Sequence, residues 1–85
     1  MNTNNIPTAP KNSFRIVLDL AYPESRMDKI LLTAIREQNE NIKLKGISRT
    51  ALKELFGKGK IVIKRQRATP SSALAKGTTY VDILS

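Results

Sequence analysis

The sequence predicts an α+β fold in which two helices in the N-terminal half pack on a small, mostly antiparallel sheet, in the order β-α-α-β-β. Three observations lead to this prediction. Residues 14–20 alternate between apolar and polar side chains, which is the period of a half-buried strand. Residues 25–38 and 48–57 repeat apolar side chains at the spacing of a helix that faces a core. Residues 60–64 and 79–84 are short runs rich in β-branched side chains, which favour strands.

The first strand is predicted to bury one face only and to lie at an edge of the sheet. Its apolar face consists of Phe14, Ile16, Leu18 and Leu20. The first helix is predicted to begin at Ser25 as N-cap, with Asp28 three residues later completing a capping box. The stripe that it turns toward the core consists of Met27, Ile30, Leu31, Ala34 and Ile35. We expect it to end near Glu37 or Gln38.

The second helix is predicted to begin after the N-cap Ser48, beyond a linker formed by residues 39–46. Ile47 and Leu52 have the spacing of a hydrophobic staple, and Gly57 and Gly59 end the helix. Residues 65–72 are predicted to be a connection without a central strand, because Pro70 cannot donate to a ladder. Residues 73–77 are expected to form a short packed loop.

Composition bounds the chemistry that the chain can carry out. The 85 residues suit one small domain over residues 13–85, with residues 1–12 predicted to be a disordered tail. There is no cysteine and no histidine, which removes thiolate metal sites and the commonest general base. We therefore expect no catalytic residues, no metal and no cofactor. Without an apolar run long enough to span a bilayer or a signal-peptide pattern, we expect a soluble, cytoplasmic protein, a monomer that does not contact membranes.

The net charge of +8 is concentrated between Lys43 and Arg67. This window holds nine cations and one anion, Glu54, whereas the segments on either side are neutral. Eight uncompensated charges repel one another and do not help folding, so they indicate a surface that binds a polyanion. We expect the cations to form one continuous face and the partner to be nucleic acid.

The helices carry cations in rows beside their apolar stripes. Arg26, Lys29, Thr33 and Arg36 follow one another at three- or four-residue spacing, and Arg49 and Lys53 are four apart. Arg49 lies in the first turn of its helix, where the dipole disfavours a cation and a phosphate would reverse that cost. Tyr22 and Tyr80 are expected in the core or at its rim rather than against bases.

The same positions carry a resemblance to a known family. Residues 26–31 read RMDKIL, and residues 48–59 read SRTALKELFGKG. Further on stand IVI at 61–63, PS at 70–71, LAKG at 74–77 and VDI at 81–83. In this order, over about sixty residues, the chain resembles the RNA-binding domain named after ribosomal small-subunit protein four, also called the αL motif. It departs from the family pattern at residues 64–66, where KRQ replaces an Asn-Gly turn, and in a longer linker at residues 38–46.

The resemblance implies a domain that docks structured RNA, in particular ribosomal RNA, with the starts of both helices and the following basic turn. The residues that it points to are Arg26, Lys29, Ser48, Arg49, Lys53 and Lys58. The charge pattern adds Lys60, Lys64, Arg65 and Arg67 to the predicted RNA-binding set. Two alternatives stay open at this point: a regulator that binds duplex DNA, and a protein-interaction adaptor for an acidic partner.

Overall fold

A computed structural model describes residue 6 and residues 8–84. Residues 1–5 and 7, which belong to the expected disordered tail, and residue 85 lie outside the described residues. The elements, in chain order, are β1 (Ser13–Leu20), α1 (Met27–Glu37), α2 (Ile42–Lys45), α3 (Arg49–Gly57), β2 (Ile61–Ile63), β3 (Gln66–Arg67) and β4 (Gly77–Leu84). None of the helices in the described part of the chain is long and apolar enough to cross a membrane.

The strands form one antiparallel sheet in the order β1-β4-β2-β3, which confirms the predicted α+β class. β1 lies at one edge, as expected from the sequence, and β4 lies between β1 and β2. All eight residues of β4 pair with β1. Only residues 81–83 of β4 pair with β2, because β2 is three residues long. Residues 77–80 therefore have a paired strand on one side only in the described part of the chain.

The core lies between the helices and one face of the sheet. The alternation in β1 is confirmed, since Ile16 and Leu18 are buried while Val17 between them is exposed. Leu31 and Ile35 of α1 are fully buried in the same cluster as Val81 of β4. Leu52 and Phe56 of α3 complete this cluster, so both long helices use the apolar stripes that the sequence predicts.

The predicted start of the first helix is wrong. The N-cap of α1 is Arg26, not Ser25, and the side chain of Arg26 makes no capping hydrogen bond. The backbone N–H of Asp28 instead donates to the carbonyl of Pro70 at 3.0 Å. A loop that is distant in sequence thus satisfies a group that a capping box would have satisfied, and Asp28 is available to pair with Arg26.

The region between the long helices is more ordered than a linker. Residues 42–45 form the one-turn helix α2, where the sequence predicted irregular chain. Asn41 is its N-cap, and its Oδ1 accepts from the N–H of Leu44 at 3.0 Å. The cap is a local signal that the sequence contained, although a single turn is too short to show a periodic pattern.

The connection predicted for residues 65–72 contains a strand. Gln66 and Arg67 form β3, which pairs with Ile63 and Val62 of β2. Lys64 and Arg65 make the two-residue turn, with φ of 51° and 65°. Positive φ at both central residues is what a tight hairpin of the I′ type requires, and glycine or asparagine usually supplies it.

Candidate nucleic-acid interface

A groove of about 490 Å³ runs between α1 and α3. Arg26 at the N-cap of α1 and residues of both helices line it. The ten lining residues, called here the helix groove, are Arg26, Asp28, Lys29, Leu32, Thr33, Arg36, Arg49, Thr50, Leu52 and Lys53. The helical spacing noted in the sequence explains this meeting: each helix buries its apolar stripe in the shared core, so the adjoining rows of cations border the space between the helices.

The floor of the helix groove is apolar and its rim is cationic. Leu32 and Leu52 are buried and belong to the core cluster. The five cations of the groove are exposed at its rim, three from the first helix with its cap and two from α3. An exposed guanidinium or ammonium keeps its full charge and needs little rearrangement to meet a phosphate oxygen.

Asp28 is the one carboxylate among the described lining residues, and it is already paired. The guanidinium of Arg26 donates to both of its oxygens, from Nε at 3.1 Å and from Nη2 at 3.0 Å. These hydrogen bonds lower the pKa of Asp28 below its ordinary value, and the charge of Arg26 acts in the same direction. Lys29, Arg36, Arg49 and Lys53 form no ion pair within residues 8–84.

The start of α3 adds a second source of positive potential at the groove. The Oγ of Ser48 accepts from the N–H of Ala51 at 3.0 Å, so Ser48 is the predicted N-cap. Ser48 is exposed but does not line the groove, whereas its neighbour Arg49 does. Arg49 thus stands at the positive end of the helix dipole, where only an external anion relieves the repulsion.

The cations that follow α3 do not line the helix groove. Lys64 and Arg67 line a second groove of about 660 Å³ that shares no residue with the helix groove. This strand groove is bordered by the hairpin residues Ile63, Lys64, Gln66 and Arg67, by Ala68, by residues 72–75, by Thr78, Thr79 and Tyr80 of β4, and by Ile6. Lys58, Lys60 and Arg65 line neither groove.

Arg67 has a partner within the fold that the sequence did not indicate. Its Nη2 donates to the carbonyl of Gly57 and, at 3.5 Å, to that of Phe56. The side chain lies across Gly59, where an added Cβ would stand 3.5 Å from its Nε. The carbonyl of Phe56 also accepts from the N–H of Gly59 at 3.1 Å, so the main effect of the guanidinium is to supply a donor to the carbonyl of Gly57 at the end of α3.

The sequence predicts the neighbouring cations of the helix groove but not the strand groove. Cations at helical spacing signal a shared face, and that signal needs only local structure. The strand groove exists because β2 is shorter than β4, which leaves residues 77–80 beside an open space. Its walls come from segments that are separated in the chain, so no single run of residues predicts it.

No protein-family model, curated protein or solved structure matches this chain.

Proposed function

We propose that the protein is a non-catalytic RNA-binding module that docks structured RNA, of the ribosomal kind, through the helix groove. The observation that carries this proposal is the convergence of five cations on one groove, of which only Arg26 is paired, with the single described carboxylate, Asp28. The resemblance of residues 25–84 to an RNA-binding family supports it independently of the geometry. With such a partner, we expect the protein to work in the cytoplasm.

The mechanism is neutralisation of phosphates by side chains that the helices hold in place. Lys29 and Arg36 border the groove from α1, and Arg49 and Lys53 border it from α3, so a backbone entering the groove meets cations on both sides. Contacts of this kind fix register and orientation but do not read base edges. The RNA is therefore recognised in this groove by its shape and backbone.

RNA is favoured over duplex DNA by the connection between the two helices. A helix-turn-helix motif joins its helices by three or four residues. Here residues 38–48 separate α1 from α3, and α2 occupies part of that interval. An adaptor for an acidic protein would use the same charges, so the decisive experiment must compare polyanions.

The test is a pair of matched charge reversals combined with salt titration. Arg49→Glu with Lys53→Glu reverses two cations in the helix groove, and Lys11→Glu with Lys43→Glu reverses two exposed cations that line neither groove. Both double variants change the net charge equally. Binding to a folded ribosomal RNA fragment is measured by fluorescence anisotropy at several salt concentrations, with duplex DNA and an acidic protein as competitors.

We expect the groove variant to lose binding while the control keeps most of it. In the wild type, log K should fall linearly with log salt, by about 0.7 to 0.9 per phosphate neutralised. Equal losses in both variants would mean that net charge alone acts and that the helix groove is not the site. Stronger competition by duplex DNA or by the acidic protein would reject RNA as the partner.

A further inference from the structure

We propose that the strand groove binds an unpaired nucleotide of the RNA, with Tyr80 as the surface on which its base stacks. This inference rests on the proposed function and extends it, because it adds base contacts to a protein whose helix groove contacts only backbone. The RNA class that it predicts is a helix with a single-stranded flank.

Among the described residues, part of one edge of β4 has no paired strand where it borders the strand groove. Residues 77–80 of β4 pair with β1, but in the described part of the chain no strand pairs with them on the side of β2. In an antiparallel strand, alternate residues direct their N–H and C=O groups to opposite sides, so half of these residues present both groups to the groove. Gln66 lines the same groove, and its side-chain amide can both donate and accept hydrogen bonds. These groups suit the edge of a base.

Tyr80 is held in a fixed orientation beside this edge. The guanidinium of Arg15 lies over its ring, 5.2 Å from the centroid. Arg15 is itself fixed by two hydrogen bonds to Asp82, a side chain that is almost wholly buried. Tyr80 is partly buried, and it lines the groove. An aromatic ring that is already ordered loses little entropy when a base stacks on it.

The charge of the strand groove favours a nucleotide over a peptide strand. Lys64 and Arg67 line it, and no carboxylate is among its described lining residues. Arg67 is engaged at the end of α3, so the exposed Lys64 is the cation that is available to a phosphate. Its lining includes the buried Ala68 and Leu74, whose apolar side chains suit the flat face of a base.

Helix α3 connects the two grooves and sets the distance between them. Its first residue, Arg49, lines the helix groove, and its last residue, Gly57, accepts a hydrogen bond from Arg67 of the strand groove. Nine helical residues span about 13 Å. Lys58 and Lys60 follow directly at the end near the strand groove. A short single-stranded segment of RNA can span this distance, and its backbone would then lie near Lys58 and Lys60.

The binding experiment compares a blunt RNA hairpin with the same hairpin carrying an unpaired adenine dinucleotide at one end or the other. We expect the wild type to bind one of the extended hairpins about tenfold more tightly than the blunt one. Tyr80→Leu should remove this increment and leave binding to the blunt hairpin unchanged, whereas Tyr80→Phe should retain it. The double variant Lys64→Ala with Gln66→Ala alters two exposed side chains on the opposite wall, so it tests the groove even if Tyr80→Leu fails to fold.

Tyrosine emission gives a direct second measurement. The chain has no tryptophan and two tyrosines, and Tyr22 is 65% exposed, so Tyr22→Phe leaves Tyr80 as the reporter at little cost to the fold. Stacking of a base should quench this emission when the extended hairpin binds, and the blunt hairpin should quench it less.

The outcomes separate this proposal from the function on which it rests. If the wild type binds neither hairpin, the proposed function fails and this inference fails with it. If the blunt hairpin binds but the extension adds nothing, or if the increment survives in Tyr80→Leu and in the Lys64/Gln66 variant, only the strand-groove proposal is wrong. Quenching of Tyr80 by an acidic peptide but not by the extended hairpin would also overturn it, because the groove would then be a peptide site.

Discussion

The guanidinium of Arg15 and the carboxylate of Asp82 form a two-bond ion pair between directly opposed residues of β1 and β4. The Nε–Oδ1 distance is 2.8 Å and the Nη2–Oδ2 distance is 3.0 Å. Asp82 is 1% exposed, which makes it the one buried charged residue in the described part of the chain. A carboxylate in this position depends on its partner, since the buried charge has little water to solvate it.

Arg15→Met should therefore destabilise the protein strongly. The change leaves Asp82 buried without its guanidinium, and we expect the free energy of unfolding to fall by about 3 kcal/mol in urea denaturation. The double variant Arg15→Met with Asp82→Leu removes both charges and should recover most of that loss. A double variant no more stable than the single one would show that packing, not the unpaired charge, is responsible.

The ion pair of Asp28 predicts a pH dependence of stability. Because the hydrogen bonds from Arg26 lower the pKa of Asp28 in the folded state below its ordinary 3.8, the unfolded chain takes up this proton first as the pH falls. The stabilisation is complete above the unfolded pKa and is lost as the pH falls through the folded one. Asp28→Asn should therefore lower the melting temperature at pH 7, and the difference from the wild type should shrink toward pH 2. A difference that does not change with pH would contradict this assignment.

The same substitution should act in the opposite direction on RNA binding. Asp28→Asn removes the one described carboxylate of the helix groove and releases the guanidinium of Arg26 to meet a phosphate. We expect severalfold tighter binding of the ribosomal RNA fragment, and a salt dependence steeper by up to one phosphate contact, or about 0.7 to 0.9 in slope. Glu54→Gln on α3 is the matched control, since Glu54 lies outside both grooves. Equal gains in the two variants would assign the effect to net charge.

Substitution of the turn residues Lys64 and Arg65 should stabilise the protein. Each residue has a left-handed φ, which costs a residue with a Cβ about 1 to 2 kcal/mol. Replacing them with Asn and Gly, the pair preferred in such a turn, should raise the free energy of unfolding by about 1 to 2 kcal/mol in urea denaturation. Affinity for the extended hairpin should fall, because the cation of the strand groove is lost. A variant that is no more stable would mean that the hairpin is not strained.

Arg67 should stabilise the protein through its guanidinium hydrogen bonds and not through its charge. Arg67→Lys keeps the cation but cannot reproduce the guanidinium contacts with the last carbonyls of α3, so we expect a loss of about 1 kcal/mol, measured by thermal unfolding. Arg65→Lys at the exposed turn is the control and should change stability little. Similar melting temperatures for the two variants would show that Arg67 does not secure the helix.

The features that the sequence predicted are those that depend on neighbouring residues. Ser48 caps α3 because its hydroxyl reaches an N–H three residues away, and the cations of the helix groove meet because helical spacing puts them on one side. The features that it missed depend on residues that are distant in the chain. The carbonyl of Pro70, and not the side chain of Ser25, accepts from the N–H of Asp28, and Arg67 donates to the carbonyl of Gly57. Neither contact produces a periodic pattern in the sequence, and β3 is too short to show such a pattern.

The central place of β4 in the sheet has a consequence for biosynthesis. β1 and β2 have no direct pairing with each other, and both depend on β4, which the ribosome makes after them. During translation β1, whose apolar face includes Ile16 and Leu18, therefore has no strand partner until residues 77–84 have left the ribosome. The sheet is consequently completed only after β4 has been synthesised.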